Sequence, residues 1–134
     1  MSDAAVNGAF RSLTELDIGF NYIGDDGLKT FARRCTEGAF ASLRKFNFST
    51  NKIGPLGMQE FSTALMGGAL NNVDQLIISC TEDALKPFIK AIQSGAMPSL
   101  NKFRTDEWFG SSAIEDDLND LHDVCKRRQI TWYR

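Results

Sequence analysis

A phrase that recurs at a fixed interval restricts a chain to architectures made by stacking one unit, and this sequence carries such a phrase. Gly8-Ala9-Phe10-Arg11-Ser12-Leu13 returns as Gly38-Ala39-Phe40-Ala41-Ser42-Leu43, then as Gly68-Ala69-Leu70-Asn71-Asn72-Val73, and more loosely as Gly95-Ala96-Met97-Pro98-Ser99-Leu100. The copies begin at residues 8, 38, 68 and 95, so the steps are 30, 30 and 27 residues. The missing residues fall between Ile78 and Ala84, where SCTED stands in place of the longer GFNYIGDD and STNKIGPL. A loop has been shortened while the flanking segments keep their register.

Inside each copy the apolar spacing changes from two to about 3.6. Leu16 and Ile18, Phe46 and Phe48, Leu76 and Ile78, and Phe103 and Thr105 alternate with polar residues, which predicts short, half-buried strands. Downstream, Leu28, Phe31, Ala32 and Cys35 fall at i, i+3, i+4 and i+7, as do Met58, Phe61, Ser62 and Leu65, and Leu85, Phe88, Ile89 and Ile92. Each set is the apolar stripe of a helix. Strand and helix units in tandem return every strand parallel to the last, because the helix carries the chain back across the sheet. One unit cannot bury its own apolar face, and stacking shares the core between neighbours. The expected fold is α/β: a short solenoid arc with a parallel sheet of about five strands on the concave side and helices on the convex side. The expected organisation is a single domain, with repeats at about 8–37, 38–67, 68–94 and 95–125, closed by a capping helix and last strand in 112–134.

LTELDIGFNYIGDDGLKTFARRC and LRKFNFSTNKIGPLGMQEFSTAL resemble the leucine-rich repeat pattern L-x-x-L-x-L-x-x-N-x-I-x-x-x-G-x-x-x-L-x-x-x-L. In the first two copies Leu13, Leu16, Ile18, Asn21, Ile23, Gly27 and Phe31 correspond to Leu43, Phe46, Phe48, Asn51, Ile53, Gly57 and Phe61. The third and fourth copies depart from it, with Thr81 and Trp108 standing near the asparagine position. The closer likeness is to the ribonuclease-inhibitor-like subtype, also found in the Ran GTPase-activating protein and NOD-like receptors. That resemblance implies a horseshoe segment whose concave sheet binds protein partners.

Physical roles can be assigned to several repeated positions. Asn21 and Asn51 offer a donor and an acceptor to backbone groups left without partners where a strand ends. Gly27 and Gly57 permit close packing at a helix start. Asp25 and Asp26 complement the same helix N-terminus, and they need no metal to account for them. Near the carboxyl end, Ser112-Ala113-Ile114-Glu115 reads as a capping box, with Ser111 a second cap candidate, and Ile114, Leu118, Leu121 and Cys125 continue the apolar stripe. The basic Lys126-Arg127-Arg128 run suits that helix's C-terminus. Ile130, Thr131 and Trp132 are the expected last strand. No segment before the first strand reads as a cap for the amino edge. Either residues 4–10 fold over it, a partner covers it, or the chain is part of a longer array.

Charge and composition exclude several functions. The 15 basic and 17 acidic residues leave a formal charge of -2, without the basic field of a nucleic-acid binder. The opening MSDAAVNGAF lacks the pattern of a secretion signal, and no apolar run is long enough for a membrane span, so the expected location is cytoplasmic. Three cysteines, Cys35, Cys80 and Cys125, have no spacing typical of metal ligands and read as reduced, mostly buried thiols. The single histidine, His122, lies beside Asp120 and Asp123 on a helix surface, and one histidine assembles no familiar triad. GPLG and GDDG lack the lysine of a phosphate loop. The expectation is a non-enzymatic protein without cofactor or metal.

Surface is then the place to look for function. Alternation along the strands predicts columns across the open sheet face: Glu15, Lys45, Gln75 and Lys102; Asp17, Asn47, Ile77 and Arg104; and Gly19, Ser49, Ser79 and Asp106. The expected partner-binding residues are Glu15, Asp17, Phe20, Lys45, Asn47, Ile77, Lys102, Arg104 and Trp108, with Phe20, Ile77 and Trp108 as apolar anchors. A plainer reading of the same face is a solvated sheet with Glu15 paired to Lys45. Two further readings stand beside protein binding: a self-assembling unit that forms homo-oligomers through its amino edge, and an accessory to an enzyme such as a GTPase.

Overall fold

The change of apolar period within each copy becomes an alternation of strands and helices. In the computed structural model, residues 12–19, 24–81, 84–109 and 115–133 are described, with the backbone alone at 49–52, 80–81, 106–109 and 115–116. The order is β1 (Glu15–Asp17), α1 (Gly24–Thr36), β2 (Lys45–Ile53), α2 (Pro55–Met66), β3 (Gln75–Thr81), α3 (Leu85–Gln93), β4 (Lys102–Phe109), α4 (Glu115–Arg128) and β5 (Thr131–Tyr133). The strands form one parallel sheet in chain order, β1 to β5. This is an α/β repeat solenoid in its architecture, with the helices packed along one face of the sheet.

A recurring backbone bond carries the register from copy to copy. Lys45 N–H donates to Thr14 O at 3.0 Å, Gln75 N–H to Arg44 O at 3.1 Å, Lys102 N–H to Asp74 O at 3.0 Å and Thr131 N–H to Asn101 O at 2.8 Å. The shorter third copy therefore rejoins the ladder without a slip, as expected if only its loop is reduced.

The predicted stripes are the core. Leu28, Phe31, Ala32 and Cys35 of α1, Met58, Phe61, Ser62 and Leu65 of α2, and Leu85, Phe88, Ile89 and Ile92 of α3 are all buried, facing Phe46, Phe48, Leu76, Ile78 and Phe103 of the sheet. Phenylalanines link the layers. The rings of Phe31 and Phe46 stack with centroids 4.6 Å apart, Phe48 meets Phe61 edge-on at 5.4 Å, and Phe88 lies 5.2 Å from Phe103. Such pairs add about 0.5–1.5 kcal/mol each beyond the area they bury.

Close approach decides Gly57. A Cβ there would lie 2.7 Å from the Asp25 Cα, so α1 and α2 can start side by side only if this residue is glycine. Asp25 does more than complement its own helix. Its Oδ1 accepts the Gly54 N–H at 2.6 Å, joining the starts of successive helices. The helices end on glycines with positive φ, Gly38 (+84°), Gly68 (+102°) and Gly95 (+97°), followed by residues whose N–H groups reach back to Arg34, Ala64 and Ala91. Gln129 takes that place after α4, at φ 59°, and Ile130 N–H donates to Cys125 O at 2.8 Å.

Three sequence expectations need correction. The last strand is Thr131–Tyr133, one residue later than 130–132, because Ile130 is consumed in ending α4. The middle strands are not short: β2 runs on through the asparagine position to Ile53, after a register irregularity between Phe48 and Ile53. The third outward column also fails. Ser79 is buried at 2%, and the pairing shifts between Ile78 and Cys80, so alternation cannot be carried past that point. Asn21, Phe20, Ser111 and Ser112 fall outside the described residues, as does the Asn51 side chain.

Candidate functional site

Alternation turns every second residue of each strand away from the helices, and the ladder sets these residues side by side. Glu15 pairs with Lys45, Lys45 with Gln75, Gln75 with Lys102, and Lys102 with Thr131. The neighbouring column is Asp17, Asn47, Ile77, Arg104 and Tyr133. The register thus gathers seven of the predicted residues, Glu15, Asp17, Lys45, Asn47, Ile77, Lys102 and Arg104, into two columns on one face. Trp108 lies beyond the irregularity, its backbone opposite Cys80. It is not in either column.

The two ends of this face differ. At the β1 end Lys45 Nζ lies 3.4 Å from Glu15 Oε1, and Asp17 Oδ1 accepts the Gly19 N–H at 2.9 Å. Both members of the first pair are half or more exposed, so it is worth about 0–1 kcal/mol. At the other end Gln75, Leu76, Ile77, Lys102, Phe103, Arg104 and Tyr133 line an open cleft of about 510 Å³. Tyr133 is half exposed there, beside Arg104. Sequence reasoning missed this tyrosine because it set the last strand one residue early. The register pairs Lys102 with Thr131, a step of 29 residues that matches neither the 30- nor the 27-residue steps of the earlier copies, so the repeat alone did not mark the strand start.

Polar rims flank the face. Arg44 and Asp74 form an ion pair at 3.0 Å between successive loops, and Asn72 Nδ2 donates to Ala41 O at 2.9 Å. At the carboxyl end, Trp132 Nε1 donates to Thr105 Oγ1 at 3.2 Å, and the His122 ring lies 6.0 Å from that indole on the exposed side of α4. Cys35 and Cys125 are buried free thiols, and burial raises both, Cys125 to about 11. They are poor nucleophiles in the folded chain. Among the described residues no three His, Cys, Asp or Glu side chains are grouped to hold a metal ion, and no helix is long and apolar enough to cross a membrane.

A parallel sheet built from tandem strand–helix units, helices on one side and a polar, charged face on the other, defines a repeat solenoid of the kind that presents a recognition surface. The family model for the Leucine Rich repeat matches residues 11–32 and 41–62, which supports the leucine-rich repeat family for this chain. Those matches fall on the first two copies, where the repeated pattern is clearest. No curated protein matches the chain. Leucine-rich repeat domains generally mediate protein–protein interaction, and the family is generally non-enzymatic.

Proposed function

We propose that the chain is a non-enzymatic protein-binding module whose partner docks on the open sheet face. One observation carries this reading. Glu15, Lys45, Lys102, Arg104 and Tyr133 are all exposed on a parallel sheet whose other face is filled by helices, whereas parallel sheets usually have both faces covered. A partner supplies the second cover. Within this reading the helix-bearing repeats fit the ribonuclease-inhibitor-like subtype, and a cytoplasmic location fits the unpaired thiols.

The test compares proteins captured from a native lysate by the full chain and by Arg104→Glu, each checked for an unchanged circular dichroism spectrum. Partners that depend on the face are lost or reduced at least tenfold with the variant. An identical set of captured proteins would refute the assignment of the face. Self-association is the second reading, favoured by Leu16 of the edge strand and by Leu13 and Ile18 beside it, which are only partly buried. Light scattering across a wide concentration range checks it: mass that rises with concentration supports it, and a constant monomer mass removes it.

A further inference from the structure

We propose that the carboxyl edge of the solenoid binds the amino edge of a second copy of this chain, so that β1 of one copy extends the sheet beyond β5 of another and the copies join head to tail. This rests on the self-association reading and names the complementary surface that the amino edge meets.

The repeated backbone bond selects the occupant. The N–H groups of Lys45, Gln75, Lys102 and Thr131 donate in turn to Thr14 O, Arg44 O, Asp74 O and Asn101 O. This series has two open ends. Glu15 holds the place of those donors on β1, and Ile130 holds the place of those acceptors just before β5. Among the described residues β1 pairs with β2 alone and β5 with β4 alone, so no described strand meets the Glu15 N–H or the Ile130 C=O. A second copy brings the one to the other. Both edge strands are three residues long, and a β1 placed after β5 keeps the parallel direction and the spacing of the ladder. Strand addition to an exposed edge is a recurring mode of recognition.

The side chains show the same two unfinished surfaces. Leu43, Phe46 and Phe48 of the second copy are 0–1% exposed, whereas their first-copy equivalents Leu13, Leu16 and Ile18 are only partly buried. At the other end Leu85 and Phe103 are 0% and 1% exposed, while Leu118 and Trp132, at the same places in α4 and β5, are only partly buried. These two border a hollow of about 330 Å³ on the side where, within the chain, the next unit stacks. Leu16 of an arriving copy would continue the inward column of Phe46, Leu76, Phe103 and Trp132. The helix ends add no attraction, since α1 closes on Arg33 and Arg34 and α4 on Lys126 and Arg127. The contact is apolar and hydrogen-bonded, and added salt should not weaken it.

Light scattering of the full chain from micromolar to millimolar concentration tests this, with Glu15→Pro at the amino edge and Leu118→Glu at the carboxyl edge, each checked for an unchanged circular dichroism spectrum. Proline is tolerated at the first residue of an edge strand and removes the outward N–H. If either variant loses its fold, Asp17→Pro or His122→Glu, at exposed positions on the same two edges, takes its place. The parent should grow past the dimer as concentration rises, because a head-to-tail interface leaves a free edge at each end. Each variant alone should associate at least tenfold more weakly. Their equimolar mixture keeps one intact pair of edges and should form a one-to-one dimer and nothing larger. Association lost with Glu15→Pro and untouched by Leu118→Glu would overturn head-to-tail joining and leave self-association through the amino edge standing. So would two monomeric variants that form no dimer when mixed. A parent of constant monomer mass, or association that neither variant changes, would overturn both.

Discussion

Arg128 holds the last strand–helix unit to the one before it, and its removal should loosen that end of the solenoid first. Its Nη1 donates to Ile92 O at 2.9 Å and Ala96 O at 2.8 Å, and its Nη2 to Met97 O at 2.7 Å. These carbonyls lie at and just beyond the C-terminal end of α3. Ile92 O and Met97 O also accept backbone N–H groups from Gly95 and Leu100, so losing the guanidinium leaves them partly satisfied. A hydrogen bond to a charged group contributes about 1.5–3 kcal/mol when shielded. The side chain is only partly buried, so about 1 kcal/mol per bond is the better figure, or about 3 kcal/mol in all. Arg128→Met removes the bonds while keeping much of the apolar stem, which separates them from packing. Arg128→Lys should restore one bond and about a third of the loss. Urea titration of the full chain reads the global cost. Hydrogen exchange reads its location, with faster exchange expected at 115–133 before any change in β2 or β3. A stability for Arg128→Met within about 0.5 kcal/mol of the parent, with unchanged exchange at that end, would refute the argument, since surface substitutions commonly fall in that range.

Three other perturbations follow from local geometry. Gln129→Gly should stabilise the chain by about 1 kcal/mol in thermal or urea unfolding, because a left-handed conformation costs a non-glycine residue about 1–2 kcal/mol and this side chain is exposed; a loss of stability would contradict that account. Ser62 Oγ is buried without a hydrogen-bond partner where the preceding copy has Ala32, so Ser62→Ala should raise stability by about 1 kcal/mol, and a decrease would show the hydroxyl to be useful. In a Cys80→Ser background neither Cys35 nor Cys125 should react with a thiol reagent at pH 8 until the chain unfolds, and rapid labelling of the native state would reverse this. Both thiols ionise more easily in the unfolded chain. Their contribution is therefore complete below pH 9.0 and is lost as pH rises toward about 11 for Cys125, which a pH series of urea titrations measures.

Much of the fold was legible because stacking imposes periodicities that a single chain displays. Leu28, Phe31, Ala32 and Cys35 announce a buried helix stripe by spacing alone, and Lys45, Gln75 and Lys102 fall into one column once the 30- and 27-residue steps are known. The same rule fails at Ser79. There a register irregularity breaks the period of two, and a residue expected to face outward is buried.

The sequence by itself determined the repeat, the parallel order of the strands and which side chains form the first two outward columns, since each follows from chain-local spacing. Only the tertiary structure decided that Asp25 joins α1 to α2, that Arg128 alone of the basic triplet reaches three carbonyls of the preceding unit, and that Tyr133 stands beside Arg104. These depend on where a helix stops and on contacts between residues some thirty positions apart. A hydrogen bond across that distance is set by the packing of whole units, and no local pattern of residue types encodes it.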